Sequence, residues 1–354
     1  MENHNKFPAD FFRGKRVFIT GHTGFKGSWL SRLLLKLGAE VSGYALAPPP
    51  GYSLFRLAGI EENMRSIIGD IRDRDSLGRA VGQARPELVI HMAAQPLVRA
   101  GYQDPVGTFE INVMGTVNLL DCLRGSEQTL SILNVTTDKV YLNDERFRPF
   151  AEDDPLGGHD PYACSKSCSE LVTAAYKRSF FEGGRAAVST ARSGNVIGGG
   201  DFAADRIVPD CLRAALKKEN IVVRNPDSVR PYQHVLEALE AYLLIVAGQT
   251  ERPGTAGSYN VAPAAENCAR TGELVQCFCE LWGGGLGWET RPDNGPREDV
   301  CLRLDASRLS RTFGWRPRWD LSKALALTID WTRAWAAGQD VGQVMDRQID
   351  QALS

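Results

Sequence analysis

The stretch KRVFITGHTGFKGSWLSRLLLKLGAEVSGYAL, Lys15 to Leu46, decides the fold. "KRVFITG" is a short apolar run closed by Gly21, the pattern of a buried strand. "SWLSRLLLKLG" spaces its leucines for one face of a helix and stops at Gly38, after which "EVSGYAL" begins a second buried strand. Strand, helix and strand in immediate succession form a βαβ unit, whose strands run parallel on a right-handed crossover.

Outward from this unit the alternation continues. "SIIGD" (Ser66–Asp70), "ELVIHMA" (Glu87–Ala93), "SILNVTT" (Ser131–Thr137) and "AAVSTAR" (Ala186–Arg192) supply further apolar strands, separated by helical stretches such as "GTFEINVMGTVNLLDCLR". The expected fold is therefore α/β, a Rossmann-type doubly wound parallel sheet. After Arg192 the rhythm loosens, with Gly198, Gly199 and Gly200 in a row and short strands such as "SYNVAP" between helices. A boundary near Gly194 divides the chain into a nucleotide-binding domain, 1–193, and a smaller interlocking α/β domain, 194–354, whose segments interleave with the first. Six tryptophans in the tail, Trp282 to Trp335, are spaced with leucines as packing residues are.

With 354 residues the chain can bury a large core. Its 43% hydrophobic and 24% charged residues are those of an ordinary globular protein, and a formal net charge of -2 argues against a nucleic-acid partner. The longest apolar runs, such as "YLLIVAG" from Tyr242, are too short to cross a bilayer, and Met1 to Phe12 lacks the pattern of a secretion signal, so a cytoplasmic location is expected. The eight cysteines show no paired spacing typical of a zinc site, and Cys164 and Cys168, four apart on a helical stretch, have no nearby histidine; no metal is expected.

"TGHTGFKG" places Gly21, Gly24 and Gly27 between the first strand and the first helix. Glycine at these positions lets the backbone turn tightly and approach a pyrophosphate at a helix N-terminus, which implies a dinucleotide cofactor. "GYALAPPP" carries no carboxylate to accept from the adenosine ribose, and no arginine follows at once to receive a 2′-phosphate; the reading leans to NAD over NADP. Asp70 and Ile71, after the third strand, are candidates for adenine contact, Asp70 having a helix N-cap as its alternative role. "DPYACSK" offers Asp160 as an N-cap, Pro161 at the first helical position, and Tyr162 and Lys166 four residues apart on one helix face. An ammonium beside a phenol favours phenolate, which would make Tyr162 usable as a base. With Thr137 at a strand end, these groups form a candidate hydride-transfer site.

"TGHTGFKG", "HMAAQ", "INVMGT", "TTDKVY" and "YACSK", in this order, make the chain resemble the extended short-chain dehydrogenase/reductase family. The resemblance implies cofactor contacts from Gly21, Thr23, Gly24, Phe25, Lys26, Gly27, Asp70, Ile71, Ala93, Ala94, Tyr162 and Lys166, and substrate contact from Gln95. Thr137-Asp138 resembles the nucleotide-sugar 4,6-dehydratases of that family. Lys139 in place of the glutamate of the thymidine-linked branch, with "ARSGNVIGGGDFAADRIVPD" and "RPYQHVLEAL", is similar to the cytidine-linked branch. Two departures, Tyr232 for a frequent tryptophan and Arg297 for a common histidine, fall in the substrate half.

What the resemblance implies is oxidation of a sugar 4-hydroxyl, loss of water across carbons 5 and 6, and return of hydride to carbon 6. Thr137 and Tyr162 would hold the 4-hydroxyl, Asp138 would protonate the departing 6-hydroxyl, and Lys139, when neutral, would take the carbon-5 proton. Asn195, Arg206 and Arg230 would bind the nucleotide-sugar diphosphate, arginine being suited to bidentate phosphate contact. A 4-epimerase needs Thr137, Tyr162 and Lys166 but no Asp-Lys pair, and a noncatalytic dinucleotide-binding protein needs none of them. The apolar faces of Val106–Leu123 and Tyr162–Phe180 point to a homodimer through paired helices, with a higher oligomer as the alternative.

Overall fold

The structure, a computed structural model, describes residues 7–143, 148–291 and 301–354. Arg297 lies outside the described residues. Seven parallel strands form the main sheet: β1 (Arg16–Thr20), β2 (Glu40–Ala45), β3 (Arg65–Ile68), β4 (Leu88–His91), β5 (Ser131–Thr137), β6 (Ala187–Ser193) and β7 (Ser258–Val261). Their spatial order is β7-β6-β5-β4-β1-β2-β3. The order reverses between β4 and β1, and the carboxyl ends flanking such a reversal are where doubly wound sheets receive ligands.

Every residue of β5 and β6 is buried, which is why "SILNVTT" and the strand after it read as runs without alternation. One face of the sheet packs on the helix Phe25–Lys36 through Trp29, Leu30, Leu33 and Leu34, together with Leu239, Trp331 and Ile349 from far along the chain. The other face packs on Leu77, Leu119 and Leu120. A third cluster, with Leu212, Phe278 and Leu325 at its centre, belongs to the second half of the chain. β7, which pairs with β6 in register Ser258↔Thr190, also comes from beyond Gly194. The main sheet therefore takes its edge strand from beyond Gly194.

Three histidines are buried without charge. Burial lowers His22 to about 4, and His91 and His234 to about 3, Lys166 lowering His91 further and Lys323 lowering His234. Unfolded, each titrates near 6.5, so each favours the folded state above that pH, and this contribution is lost as pH falls toward the folded value. At pH 5 the loss is about 2 kcal/mol per histidine. Glu240, raised to about 7 by burial, acts in the opposite sense, as do Glu152 and Glu237, which burial also raises, so these carboxyls offset part of the histidine loss. Unfolding by urea is expected to show lower stability at pH 5 than at pH 7.5; higher stability at pH 5 would contradict neutral burial of these rings.

Candidate active site

The glycine loop is shaped by close approach. Gly21 has φ +80, and a Cβ there would lie 2.8 Å from the Ala93 nitrogen; at Gly27 it would lie 2.1 Å from the Gly21 carbonyl oxygen. Gly24 differs: it lines the cleft, and a Cβ would meet only the Gly21 oxygen at 3.4 Å. Gly24 is also the N-cap of the Phe25–Lys36 helix and has no side chain to cap it, so no side chain answers the first-turn N–H groups. This cradle fits a pyrophosphate. His22 occupies the middle of the loop, its Nε2 2.8 Å from Ser66 Oγ, and Gly43 on β2 leaves room for its ring.

The loop opens onto a cleft of about 830 Å³ lined by all the loop positions singled out above (Gly21, Thr23, Gly24, Phe25, Lys26 and Gly27), with Asp70, Ile71, Ala93 and Ala94. Thr23 Oγ1 donates to the Leu46 carbonyl at 2.9 Å, tying the loop to the end of β2. Asp70 is not a helix N-cap: Asp73 caps the following helix by accepting from Ser76 N at 3.0 Å, and Asp70 pairs with Arg72 at 2.6 Å, which holds its carboxyl below the usual range. The wall opposite the β2 end is aromatic, with Tyr52, Phe202, Trp331 and Trp335. Trp331 is buried as packing residues are, but Trp335 faces the cleft wall, and neither periodicity nor motif marks it out.

A second cavity of about 280 Å³ adjoins the first across Phe25, Lys26, Pro96 and Arg206. Thr137, Asp138, Lys139, Tyr162, Asn195, Arg206 and Arg230 all line it. Thr137 ends β5 opposite Ser193, and its hydroxyl donates to Asp138 Oδ1 at 3.0 Å and accepts from Lys139 N at 3.4 Å. Asp138 to Val140 form a single 3₁₀ turn, which brings Asp138 and Lys139 to the mouth of the strand. Tyr162 arrives from the helix Pro161–Tyr176, capped as its sequence indicates, with Asp160 Oδ1 accepting from Ala163 N at 2.9 Å. Arg206 is also ion-paired to Asp201 at 3.3 Å on the seam between the cavities.

Two of the expected side chains bond within the protein. Lys166 is buried, but its Nζ donates to the Val135 carbonyl at 2.9 Å, and it is not among the groups that shift Tyr162. Burial pushes the Tyr162 phenol up to about 12, against hydrogen bonding from Thr137 and the charge of Arg206, which lower it. Both residues lie on the Pro161–Tyr176 helix, and the strand carbonyl, a strong acceptor, takes the ammonium. Burial also lowers Lys166 to about 8, opposed by the Glu170 carboxylate one turn further on. Gln95, in turn, is not among the residues lining either cavity. Its Nε2 donates to Thr108 Oγ1 at 2.9 Å and its Oε1 accepts from Leu97 N at 2.6 Å, so both ends of the amide serve the local turn while Pro96 beside it faces both cavities.

Lys26 sits where the cavities meet, its Nζ 5.8 Å from the centre of the Tyr242 ring, and burial together with the charges of Lys166 and Arg206 lowers it to about 7. In the second cavity Ser228, Thr271 and Tyr232 form a buried cluster of hydroxyls, with Ser228 Oγ 2.8 Å and Tyr232 OH 3.1 Å from Thr271 Oγ1. The sequence singles out Tyr232 of these only as a departure from family pattern.

A parallel sheet whose glycine loop faces a dinucleotide-sized cleft, beside a cavity holding a threonine, a tyrosine and an Asp-Lys turn, defines a short-chain dehydrogenase/reductase of the extended type. The profile of the GDP-mannose 4,6 dehydratase family matches residues 18–328, and the chain belongs to that family. The CDP-glucose 4,6-dehydratase of Salmonella typhimurium is 42% identical to it over 351 residues, covering 98% of each chain. The UDP-glucose 4-epimerase of Thermus thermophilus, solved with NAD, superposes with a TM-score of 0.77 at 27% identity, over 90% of this chain and 98% of that one. The dTDP-glucose 4,6-dehydratase DesIV of Streptomyces venezuelae has the same fold, with a TM-score of 0.77 at 24% identity and coverage of 92% and 99%.

Proposed function

We propose that this chain is an NAD-dependent hydro-lyase that converts CDP-D-glucose to CDP-4-keto-6-deoxy-D-glucose and water. The observation that carries the reading is the Asp138-Lys139 turn at the end of β5, in one cavity with Thr137 and Tyr162; the 42% identity to a CDP-glucose 4,6-dehydratase supports the substrate. The glycine loop, Asp70, Ile71, Ala93 and Ala94 would hold the cofactor, within residues 1–193, and Asn195, Arg206 and Arg230, within 194–354, the nucleotide diphosphate. When bound, NAD supplies a hydride acceptor that becomes a donor later in the same turnover.

The side chains divide the remaining work. Thr137, its hydroxyl turned from Asp138, donates to the sugar 4-oxygen and Tyr162 takes the proton of the 4-hydroxyl, with Arg206 supplying positive charge nearby. The resulting 4-ketone acidifies carbon 5. Lys139 takes that proton, and Asp138 gives one to the 6-hydroxyl as it leaves, so one proton is removed and one returned for each water lost. A 4-epimerase would need no such acid–base pair.

The direct test is a side-by-side incubation with CDP-, dTDP-, UDP- and GDP-glucose, read by the alkaline absorbance of the 4-keto product. CDP-glucose is expected to give product without added cofactor, because NAD co-purifies with an enzyme that regenerates it. Galactose derivatives would make the protein an epimerase, no turnover with any sugar would leave a binding protein, and NADP in the extract would overturn the cofactor.

Assembly as a homodimer is part of the proposal. Val106 is 67% exposed, Leu171 60% and Phe180 47%, all on the two helical segments expected to pair. Light scattering at micromolar concentration is expected to give twice the chain mass; monomer alone would remove the dimer. No helix among the described residues is long and apolar enough to cross a membrane. The eight cysteines are free, which supports a reducing, cytoplasmic setting; recovery of the protein outside the cytoplasm on cell fractionation would remove that assignment.

A further inference from the structure

Behind the catalytic turn lies a buried ion pair that the chemistry above does not use. Arg192 on β6 and Glu170 on the Pro161–Tyr176 helix meet at 2.9 Å with side chains 4% and 2% exposed. Burying two charges this deeply is costly unless every polar atom is engaged, and such pairs contribute little to stability for their own sake. Arg192 Nε finds no partner among the described residues, but every other polar atom of the two side chains is engaged. Glu170 Oε1 accepts from Thr136 Oγ1 at 2.5 Å, and Oε2 accepts from Thr190 Oγ1 at 2.8 Å. Arg192 Nη1 donates to the Tyr141 hydroxyl at 2.9 Å and to the Glu152 carbonyl at 2.9 Å. Thr136 immediately precedes Thr137, and Tyr141 immediately follows the 3₁₀ turn Asp138–Val140.

We infer that the Glu170–Arg192 pair is a positioning element for the elimination half of the reaction, clamping the turn that carries Asp138 and Lys139 between Thr136 on one side and Tyr141 on the other. The inference rests on the dehydratase reading. The two sides of the clamp act on different residues. Thr137 is held by its own strand register opposite Ser193 and Tyr162 by its helix, supports that do not pass through the Tyr141 hydroxyl. Asp138 and Lys139 lie beyond the strand, and Tyr141 anchors the chain after them. Its hydroxyl donates to Asn260 Oδ1 at 2.6 Å, and its ring stacks on Phe150 at 4.9 Å between centres. Asn260 in turn donates to the carbonyls of Phe150 and Asp305, so the anchor is continuous with the edge strand β7. The Val140 carbonyl accepts from Gly157 N and Ser167 Oγ, fixing the backbone; the Tyr141 hydroxyl adds the link to the charge pair.

Tyr141→Phe tests this while keeping the stacked ring. Two half-reactions are measured after mixing with CDP-glucose: appearance of reduced-cofactor absorbance in a single turnover, and exchange of the carbon-5 hydrogen with deuterated water. The expected result is cofactor reduction within about threefold of wild type and exchange slowed by roughly tenfold or more, within the range of positioning effects. Arg192→Lys keeps a cation against Glu170 and loses the reach to Tyr141; it is expected to shift the same ratio in the same direction. Tyr259→Phe deletes the tyrosine hydroxyl that donates to the Thr255 carbonyl on the sheet edge and is the comparison for destabilisation alone; its ratio should match wild type. An unchanged ratio in Tyr141→Phe, or equal loss of both half-reactions in it and in Arg192→Lys, would overturn the clamp. Failure of wild-type protein to make the keto product would instead remove the dehydratase reading itself.

Discussion

Lys139→Met is expected to separate oxidation from elimination. The variant keeps the aliphatic stem, and the Thr137 hydroxyl accepts from the Lys139 backbone nitrogen, a contact that the substitution keeps. With CDP-glucose it should still develop reduced-cofactor absorbance in a single turnover, since Thr137 and Tyr162 are untouched. It should form little keto product and exchange little carbon-5 hydrogen with deuterated water. General bases contribute factors of about 10² to 10⁴, so turnover should fall by that much while cofactor reduction slows far less. Equal collapse of both steps would make Lys139 a substrate-binding or organising residue, and normal turnover would make it a solvated loop charge.

Tyr162→Phe is expected to remove the earlier step. The phenol is held up to about 12 by burial, so phenolate is scarce at neutral pH, and the wild-type rate of cofactor reduction should rise as pH is raised toward the alkaline range. Without the hydroxyl that pH dependence should vanish along with cofactor reduction, a loss of about 10² to 10⁴, while CDP-glucose binding stays within roughly threefold of wild type. Rapid reduction of cofactor in this variant would take Tyr162 out of the mechanism. The two variants together order the residues along the reaction, Tyr162 before Lys139.

The parts of this site that were legible in the sequence are those written in adjacent residues. The glycine loop sits inside one βαβ unit, and Asp160-Pro161 announces the start of the tyrosine helix by cap chemistry that needs no distant partner. Less legible were contacts set by tertiary placement. Lys166 and Tyr162 share a helix face, yet only the approach of β5 reveals that the Val135 carbonyl takes the ammonium. Asp70 and Asp73 are both plausible caps in "DIRDRD", and the geometry of one turn selects Asp73. β7 is four residues long and finds its partner β6 across the whole Val235–Glu251 helix, a pairing that local patterning does not contain. The aromatic wall of the cofactor cleft joins Tyr52 to Trp335 from opposite ends of the chain.

Glu170 and Arg192 show the same limit from another side. In sequence, Glu170 is one more charge on an amphipathic helix and Arg192 the end of an apolar strand. Their meaning appears only when the helix and β6 are brought together behind Thr136. The Asp138-Lys139 turn is therefore legible as candidate chemistry in the sequence, while its support is legible only in the structure.

The measurement that bears most directly on the central claim is the fate of a deuterium placed on carbon 4 of CDP-glucose. Product formed in ordinary water should carry that deuterium on carbon 6 and a solvent hydrogen on carbon 5, with the bound cofactor returned to its oxidised form. A galactose derivative with deuterium still on carbon 4, or a keto product that has lost the label to solvent, would contradict the account.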